Sequence, residues 1–475
     1  MEDTAIASGT INVDIRDLFE RQMHYSHVAA KFTAKERIAR LNTLEKALLA
    51  WRPRIQKALA DDFAKPPQEV DLVDIYYVLR EIRHTRRHLH KWMRPVYVPV
   101  PLAFMGSRAY YIHEPKGVAL IISPWNYPLN LTIGPLVSAL SAGCTAIIKP
   151  SESTPNASAV MKEMLGSLFP PELVAVIEGD ANVSQQLLTF PFHHIFFTGS
   201  TKVGKIVMAA AAKILASVTL ELGGKCPAVV DASANIQKAA HRIVHTKFVN
   251  AGQTCIAPDY VLAHASIHEK LIGAMRERVN TFYPNDTRMQ TEYCGIVHEG
   301  HLNKMQDYVA DATVHGAHIV TGGNTITGMK KFEPTILRDV SLSSRVMQEE
   351  IFGPILPVLS YGTTEDAIAL IRSIDRPLGL YVFGRGKAIK TIIRDTRAGG
   401  SCINHCALHF YNPYLPFGGI NQSGIGKSHG YAGFQAFSNI RSVYQQVWPY
   451  SPLDWLHAPY TKAKQRLIDF TLRWL

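Results

Sequence analysis

Cys255 is the residue with the clearest chemical potential in this 475-residue chain. It lies in Phe248-Val-Asn-Ala-Gly-Gln-Thr-Cys-Ile-Ala-Pro-Asp-Tyr260, between the small segment Asn250-Ala-Gly252 and Pro258, a composition that predicts a tight loop. A thiol presented on a loop attacks carbonyl carbon as its thiolate, whereas an isolated cysteine is by default a small core hydrophobe. The sequence decides between these readings by what accompanies the thiol. Asn126, in Pro124-Trp-Asn-Tyr-Pro128, offers a neutral amide donor of the kind an oxyanion needs, and it equally suits the cap of a turn before a helix. Phe197-Thr-Gly-Ser-Thr-Lys-Val-Gly204 reads as a strand, a Gly-Ser turn and a helix start, whose backbone N–H groups suit a phosphate. Lys149 and Glu152 close another apolar run, where an ammonium and a carboxylate suit the hydroxyls of a ribose. Cys402-Ile-Asn-His-Cys-Ala-Leu-His409 sets two thiols and two imidazoles close together. It lacks paired Cys-x-x-Cys ligand sets, so it reads as a pocket loop rather than a metal site.

These residues must be held by an α/β scaffold. Val118–Ile122, Thr145–Ile148, Leu173–Ile177, His194–Phe197 and Ser217–Leu220 are short apolar runs separated by helical stretches, the pattern of a parallel, doubly wound sheet. A ligand then belongs at the carboxyl ends of the strands. A second such run has strands near Ala228–Val230, Tyr260–Ala263 and Ile355–Leu359, with helices over Ile236–Val249 and His268–Tyr283. Thr33-Ala-Lys-Glu36 has the capping-box form and opens an amphipathic helix, and Asp61–Arg94 is mainly helical. The alternate prolines of Pro95–Pro101 predict an extended crossing segment, followed by a strand over Ser107–His113.

Six motifs in one order, Pro124–Pro128, Phe197–Gly204, Leu220–Lys225, Gly252–Cys255, Gln348–Pro354 and Leu415–Gly419, resemble the aldehyde dehydrogenase superfamily from about Ala29 to about Val443. Ala257–Tyr260, Lys149–Glu152 and Lys91–Pro95 are similar to its class 3, fatty aldehyde branch. The resemblance implies two Rossmann-like domains, cofactor-binding and catalytic, with a bridging, dimer-forming hairpin. The corresponding ranges are 1–94 with 116–225, then 226–405, with 95–115 and 406–447 bridging and 448–475 as a tail. It implies Cys255 as nucleophile, Asn126 with the Cys255 N–H as oxyanion donors, and Glu221 as the base that activates water against a thioester. It further implies NAD, with NADP open, held by Trp125, Lys149, Glu152, Gly199, Ser200, Gly204, Leu222, Gly223, Glu350 and Phe352. The implied substrates are medium- or long-chain aliphatic aldehydes; aromatic, cinnamyl-type or long polyene aldehydes are the alternative. A silent binding protein is disfavoured by the joint presence of Asn126, Glu221 and Cys255, and transfer to coenzyme A by Glu221. His405 after Asn404 departs from the Asn-Asp frequent in the family.

Composition sets outer bounds. A hydrophobic content of 47% supports a large buried core. The net charge of +11 is spread along the chain, and no nucleic-acid motif accompanies the basic run Arg83–Lys91. Six cysteines without framework spacing, and an N-terminus with Glu2 and Asp3 and no apolar run, point to a reducing, cytoplasmic setting. Leu131–Ile148 carries no charge, yet Ala142-Gly143 divides it into a core helix and a strand. Tyr460–Leu475 mixes Lys and Arg with apolar and aromatic residues, which suits a peripheral membrane contact, a partner subunit or the substrate entrance.

Overall fold

The computed structural model describes residues 11–284 and 286–474; Glu2, Asp3 and the start of the 1–94 stretch lie outside the described residues. Two parallel sheets organise the chain. The first runs in the spatial order Gly424–Ile425, Ser217–Leu222, His194–Gly199, Val118–Ile122, Thr145–Lys149, Val174–Val176. Only Gly424–Ile425 is antiparallel, with Gly424 opposite Glu221. Successive strands leave Val118–Ile122 in opposite directions, so the topological switch falls between it and His194–Gly199. Ligands collect at such a crevice, beyond the strand ends. Trp125 and Asn126 follow one of these two strands, and Ser200 follows the other.

The second sheet has the order His318–Thr321, Thr335–Arg338, Ile355–Tyr361, Tyr260–His264, Pro227–Val230, Gly379–Phe383, Gly400–Ile403, with the first strand antiparallel. Its central strands are buried on both faces, which is why they read as continuous apolar runs rather than alternating ones. The expected α/β architecture with two doubly wound sheets is therefore present. A separate antiparallel sheet joins Val96–Val98, Ser107–Pro115 and Ser438–Gln446. Of the stretch 406–447, Ser438–Gln446 enters this sheet, while Leu408–Tyr411 packs near Cys255 and Gly424–Ile425 extends the first sheet.

Local chemistry explains the main boundaries. Thr33 and Glu36 form the full capping box on the helix Ala34–Phe63, which stops at Ala64 in left-handed backbone. The uncharged stretch resolves into the helix Pro128–Ala142 and the strand Thr145–Lys149. Gly143 ends the helix at φ 91°, where an added Cβ would lie 2.6 Å from the Arg37 guanidinium. That guanidinium donates to the Ser141 carbonyl at 2.9 Å, satisfying a helix-end acceptor. Among the described residues no helix is long and apolar enough to cross a membrane.

Lys65 and Asp74 form a completely buried ion pair at 2.6 Å, beneath the turn that carries Asn126. The ammonium also donates to the Asn126 carbonyl at 3.4 Å and lies 4.1 Å from the Tyr127 ring centre. It thus fastens the N-terminal helices to the first strand-end turn. Removing one partner strands a buried charge. Lys65→Met is expected to destabilise the protein by about 3–5 kcal/mol, and Lys65→Met with Asp74→Leu by much less, read from denaturant midpoints.

Candidate active site

The loop bearing Cys255 is wound by three consecutive residues in left-handed backbone, Asn250 at φ 56°, Ala251 at 51° and Gly252 at 72°. Two of these are not glycine, so the surroundings must hold the conformation. The Asn250 N–H donates to Glu69 at 2.9 Å, and the Asn250 side-chain amide donates to the carbonyls of Asn126 and Gln253 at 3.0 and 3.1 Å. Gln253 in turn donates to the carbonyls of Asn250 and Gly295 and accepts from the Val297 N–H. At Gly252 an added Cβ would strike the Gly353 carbonyl. The Glu350–Gly353 loop therefore packs directly on the thiol loop.

Lys225 and Asp259 fix that second loop. They pair with each other at the interior, Lys225 donates to the carbonyls of Val346 and Glu349 at 2.7 and 2.8 Å, and Asp259 accepts from the Ile351 N–H at 3.1 Å. Both residues stood inside motifs recognised in the sequence, and their geometry makes them struts.

Asn126 is buried, and its side-chain amide donates to the Gln253 carbonyl at 3.0 Å. The cap of the following helix is Tyr127, which makes no side-chain cap bond, so the capping alternative for Asn126 fails. Tyr127 instead hydrogen-bonds Thr254, next to the thiol, at 2.6 Å. Glu221 is buried at the end of its strand; one carboxylate oxygen accepts from the Ser428 hydroxyl at 2.7 Å and the other has no hydrogen-bond partner. Burial raises its pKa to about 7, against the Ser428 hydrogen bond and the Lys427 charge. Burial also pushes the Cys255 thiol far above its ordinary range, and Glu350 and Glu221 add to the effect. The carboxylates beside the thiol disfavour its thiolate form. Glu350 is raised to about 8 by burial and by Asp259, opposed by the Gly224 N–H, Lys225 and Lys247.

Cys255 borders two cavities. One, of about 160 Å³, is walled by Tyr127, Leu131, Ile256, Phe410 and Tyr411, with His405 at its edge. For scale, an engineered apolar cavity of about 150 Å³ holds benzene. The other, of about 30 Å³, lies on the Glu221 side. A larger cleft of about 820 Å³ between the two sheets is lined by Gly223, Gly224 and Glu350 together with Lys202, Lys205 and Arg376. Its size and its basic wall fit a dinucleotide.

Of the expected cofactor residues only Gly223 and Glu350 line this cleft; Trp125, Lys149, Glu152, Gly199, Ser200, Gly204, Leu222 and Phe352 lie outside its lining. Ser200 caps the helix Thr201–Ile214, accepting from the Val203 N–H at 3.4 Å. A Cβ on Gly204 would lie 2.6 Å from Leu222, so its absence lets the helix close on the strand, and one on Gly199 would lie 2.5 Å from Phe197. Lys149 is buried and donates to Glu152 at 3.0 Å, while Glu152 is half-exposed. Trp125 stands edge-on to Phe352 at 5.4 Å. At Gly223 an added Cβ would overlap the Glu350 carboxylate, so the space expected for cofactor is shared with that side chain. Ser428 and Lys427 belong to the site without having been singled out from the sequence; Thr254, Lys202 and Lys225 lay in quoted motifs without a role. Cys402 lies 3.2 Å from His409, but among the described residues no group of His, Cys, Asp or Glu could hold a metal ion.

Residues 12–443 match the aldehyde dehydrogenase family model. The chain belongs to the aldehyde dehydrogenase family. It is an NAD(P)-dependent oxidoreductase with the NAD-binding Rossmann fold. It is 41% identical over 403 residues to the 4,4'-diaponeurosporen-aldehyde dehydrogenase of Staphylococcus aureus, covering 85% of this chain and 87% of that one. With human aldehyde dehydrogenase family 3 member B1 it shares 38% over 427 residues, covering 90% of each. The solved structure of Staphylococcus aureus AldH in its substrate-bound state superposes with a TM-score of 0.92 at 38% identity, covering 96% of this chain and 99% of that one. These likenesses extend to the class 3 relatives expected from the motifs.

A carboxyl held near 7 in the folded state and near 4.5 when unfolded binds its proton more tightly folded, so its stabilising contribution is full below about 4.5 and is lost as pH rises through about 7. Glu221→Gln removes this loss. The variant is expected to match wild type in stability near pH 4.5 and to exceed it by on the order of 2–3 kcal/mol at pH 8, measured by denaturant unfolding at both pH values.

Proposed function

We propose that this aldehyde dehydrogenase oxidises medium- and long-chain aliphatic aldehydes, with Cys255 as nucleophile, Asn126 as oxyanion donor and Glu221 as base. The observation that supports the reading is that Glu221, a buried, half-satisfied carboxylate, shares one cavity with Cys255 while an apolar cavity opens on the same thiol, with the Asn126 amide bonded to the Gln253 carbonyl of the thiol loop. Cys255 attacks the aldehyde carbon as Glu221 takes its proton. The oxygen gains negative charge, and the amide of Asn126 and the Cys255 N–H stabilise it without reorganisation. NAD(P), bound in the cleft between the sheets, supplies the hydride acceptor. Once Glu221 has passed on the thiol's proton and is a carboxylate again, the resulting Cys255 thioester is hydrolysed by water whose proton passes to Glu221, releasing the carboxylic acid and the thiolate.

In this reading Glu350 and Phe352 place the reactive end of the cofactor, Lys149 and Glu152 take the adenosine ribose, and Ser200, Gly199, Gly204, Leu222, Gly223 and Trp125 shape the pyrophosphate and ring sites. NAD is the preferred cofactor, because the Glu152 carboxylate would repel a 2′-phosphate. Residues 1–94 with 116–225 form the cofactor domain and 226–405 the catalytic domain. The exposed Tyr97, Val98, Ile440 and Tyr444 on the separate three-stranded sheet support a homodimer. The helix Lys462–Trp474, with exposed Phe470 and Leu472 beside Lys462 and Arg473, supports peripheral contact with anionic lipid. Loss of liposome sedimentation on deleting 449–475 is the result expected of that contact, and unchanged sedimentation removes it. A long polyene aldehyde is the second reading, favoured by likeness to the diaponeurosporen-aldehyde enzyme.

Cofactor reduction at 340 nm, measured with NAD and with NADP across propanal to hexadecanal, cinnamaldehyde and a polyene aldehyde, tests the substrate class. Long-chain preference is expected, and a maximum at cinnamaldehyde would overturn it. Cys255→Ala is expected to be inactive. Asn126→Ala should lower kcat by about 100- to 1000-fold; retention of kcat would remove the oxyanion role.

A further inference from the structure

The cavity on the Glu221 side carries more unsatisfied polar atoms than packing alone explains. One oxygen of Glu221, one oxygen of Glu81, the Thr198 hydroxyl, the Asn130 amide oxygen and Nδ1 of His429 are all buried without a hydrogen-bond partner, and all five residues line this one space beside Cys255. Its volume of about 30 Å³ accommodates roughly two water molecules, and water is the usual partner of such clustered orphan atoms. Glu81 is the least expected member. It projects from the helix Tyr76–Trp92, is only 2% exposed, and its other oxygen accepts from the Gly430 N–H at 2.5 Å. No ion pair holds it among the described residues, so a buried carboxylate has been placed beside the site without a cation.

We propose that Glu81 is a proton relay for Glu221, receiving through water in this cavity the proton that Glu221 takes from Cys255. The need arises from proton accounting and rests on Glu221 being the base. Glu221 breaks the S–H bond of Cys255 and becomes a carboxylic acid. It must be a carboxylate again to take a proton from the hydrolytic water. Transfer through cavity water breaks the O–H bond on Glu221 and forms one on Glu81, so hydrolysis proceeds with Glu221 ionised. After hydrolysis the water-derived proton returns from Glu221 to the Cys255 thiolate. The proton left on Glu81 is the one the net oxidation of aldehyde and water to acid releases to solvent.

The electrostatics agree with this geometry. Burial raises Glu81 and Glu221 alike to about 7, and burial first, then both carboxylates, hold the Tyr77 phenol high. The other titratable groups facing Glu81 are His84 on its own helix, close to Gly430, and His429 across the cavity; burial holds both imidazoles low and neutral. Lys427 lies beyond, acting on Glu221.

The test compares Glu81→Gln, Glu81→Asp, Thr198→Val and Glu221→Gln with wild type in the presence of NAD and a saturating aldehyde. For Glu81→Gln the expected result is a first-turnover burst of one NADH per site at near-wild-type rate, followed by a steady-state kcat at least tenfold lower with KM within twofold. Glu81→Asp should recover at least a third of kcat, and Thr198→Val, which removes a hydroxyl from the water path and keeps the side chain's shape, should show the same burst with kcat about threefold lower. A steady-state rate within twofold of wild type in Glu81→Gln, or burst and steady state falling together, overturns the relay. Should Glu81→Gln not fold, the Thr198→Val comparison decides, an unchanged kcat overturning the relay. Full activity of Glu221→Gln sinks the base assignment beneath it; an inactive Glu221→Gln beside an unimpaired Glu81→Gln sinks the relay alone.

Discussion

The position of Cys255 depends on a short run of left-handed backbone. Asn250 and Ala251 accept that conformation because the buried amides of Asn126, Asn250 and Gln253 close a ring of hydrogen bonds around it, with Glu69 and Gly295 completing the set. The same ring joins the end of the first sheet to the start of the second. It follows that Cys255, Asn126 and the Glu350 loop are positioned as one unit, and that Gly252 is needed where the loops touch.

Around this unit the protein buries several charged groups. Lys65–Asp74 and Lys225–Asp259 are paired and serve as struts between elements far apart in sequence. Among the described residues Glu81 and Glu221 have no such cation at hydrogen-bonding distance, and the charges of Glu350 and Glu221 act on the thiol. Burying carboxylates this way works against stability at neutral pH and raises their proton affinity toward neutrality. The doubly covered strands bury apolar surface that offsets this cost.

Much of the scaffold was legible because parallel strands buried on both faces must be continuous apolar runs, and helix ends must satisfy their backbone groups. Val118–Ile122 and Thr145–Lys149 are strands at the expected places, and Thr33, Glu36 and Gly143 act as the end signals they resemble. Other contributors were silent. Glu81 in a helix rich in Arg and His reads as a solvated charge, and Ser428 as an ordinary loop hydroxyl; only packing turns one toward the cavity and the other onto Glu221. Asn126 had two local readings, and the cap was excluded when Tyr127 proved to be the residue before the helix.

The sequence by itself determined the family, the two α/β sheets and the loop character of the Cys255 stretch, because those follow from local periodicity, turn chemistry and ordered motifs. Tertiary structure alone decided how the groups act on one another. The raised proton affinity of Glu221 and Cys255, the strut roles of Lys225 and Asp259, the sharing of the Gly223 space by Glu350 and the cavity joining Glu81 to Glu221 arise between residues far apart along the chain. Burial and distance set electrostatics, and neither is a property of a residue or of its neighbours in sequence.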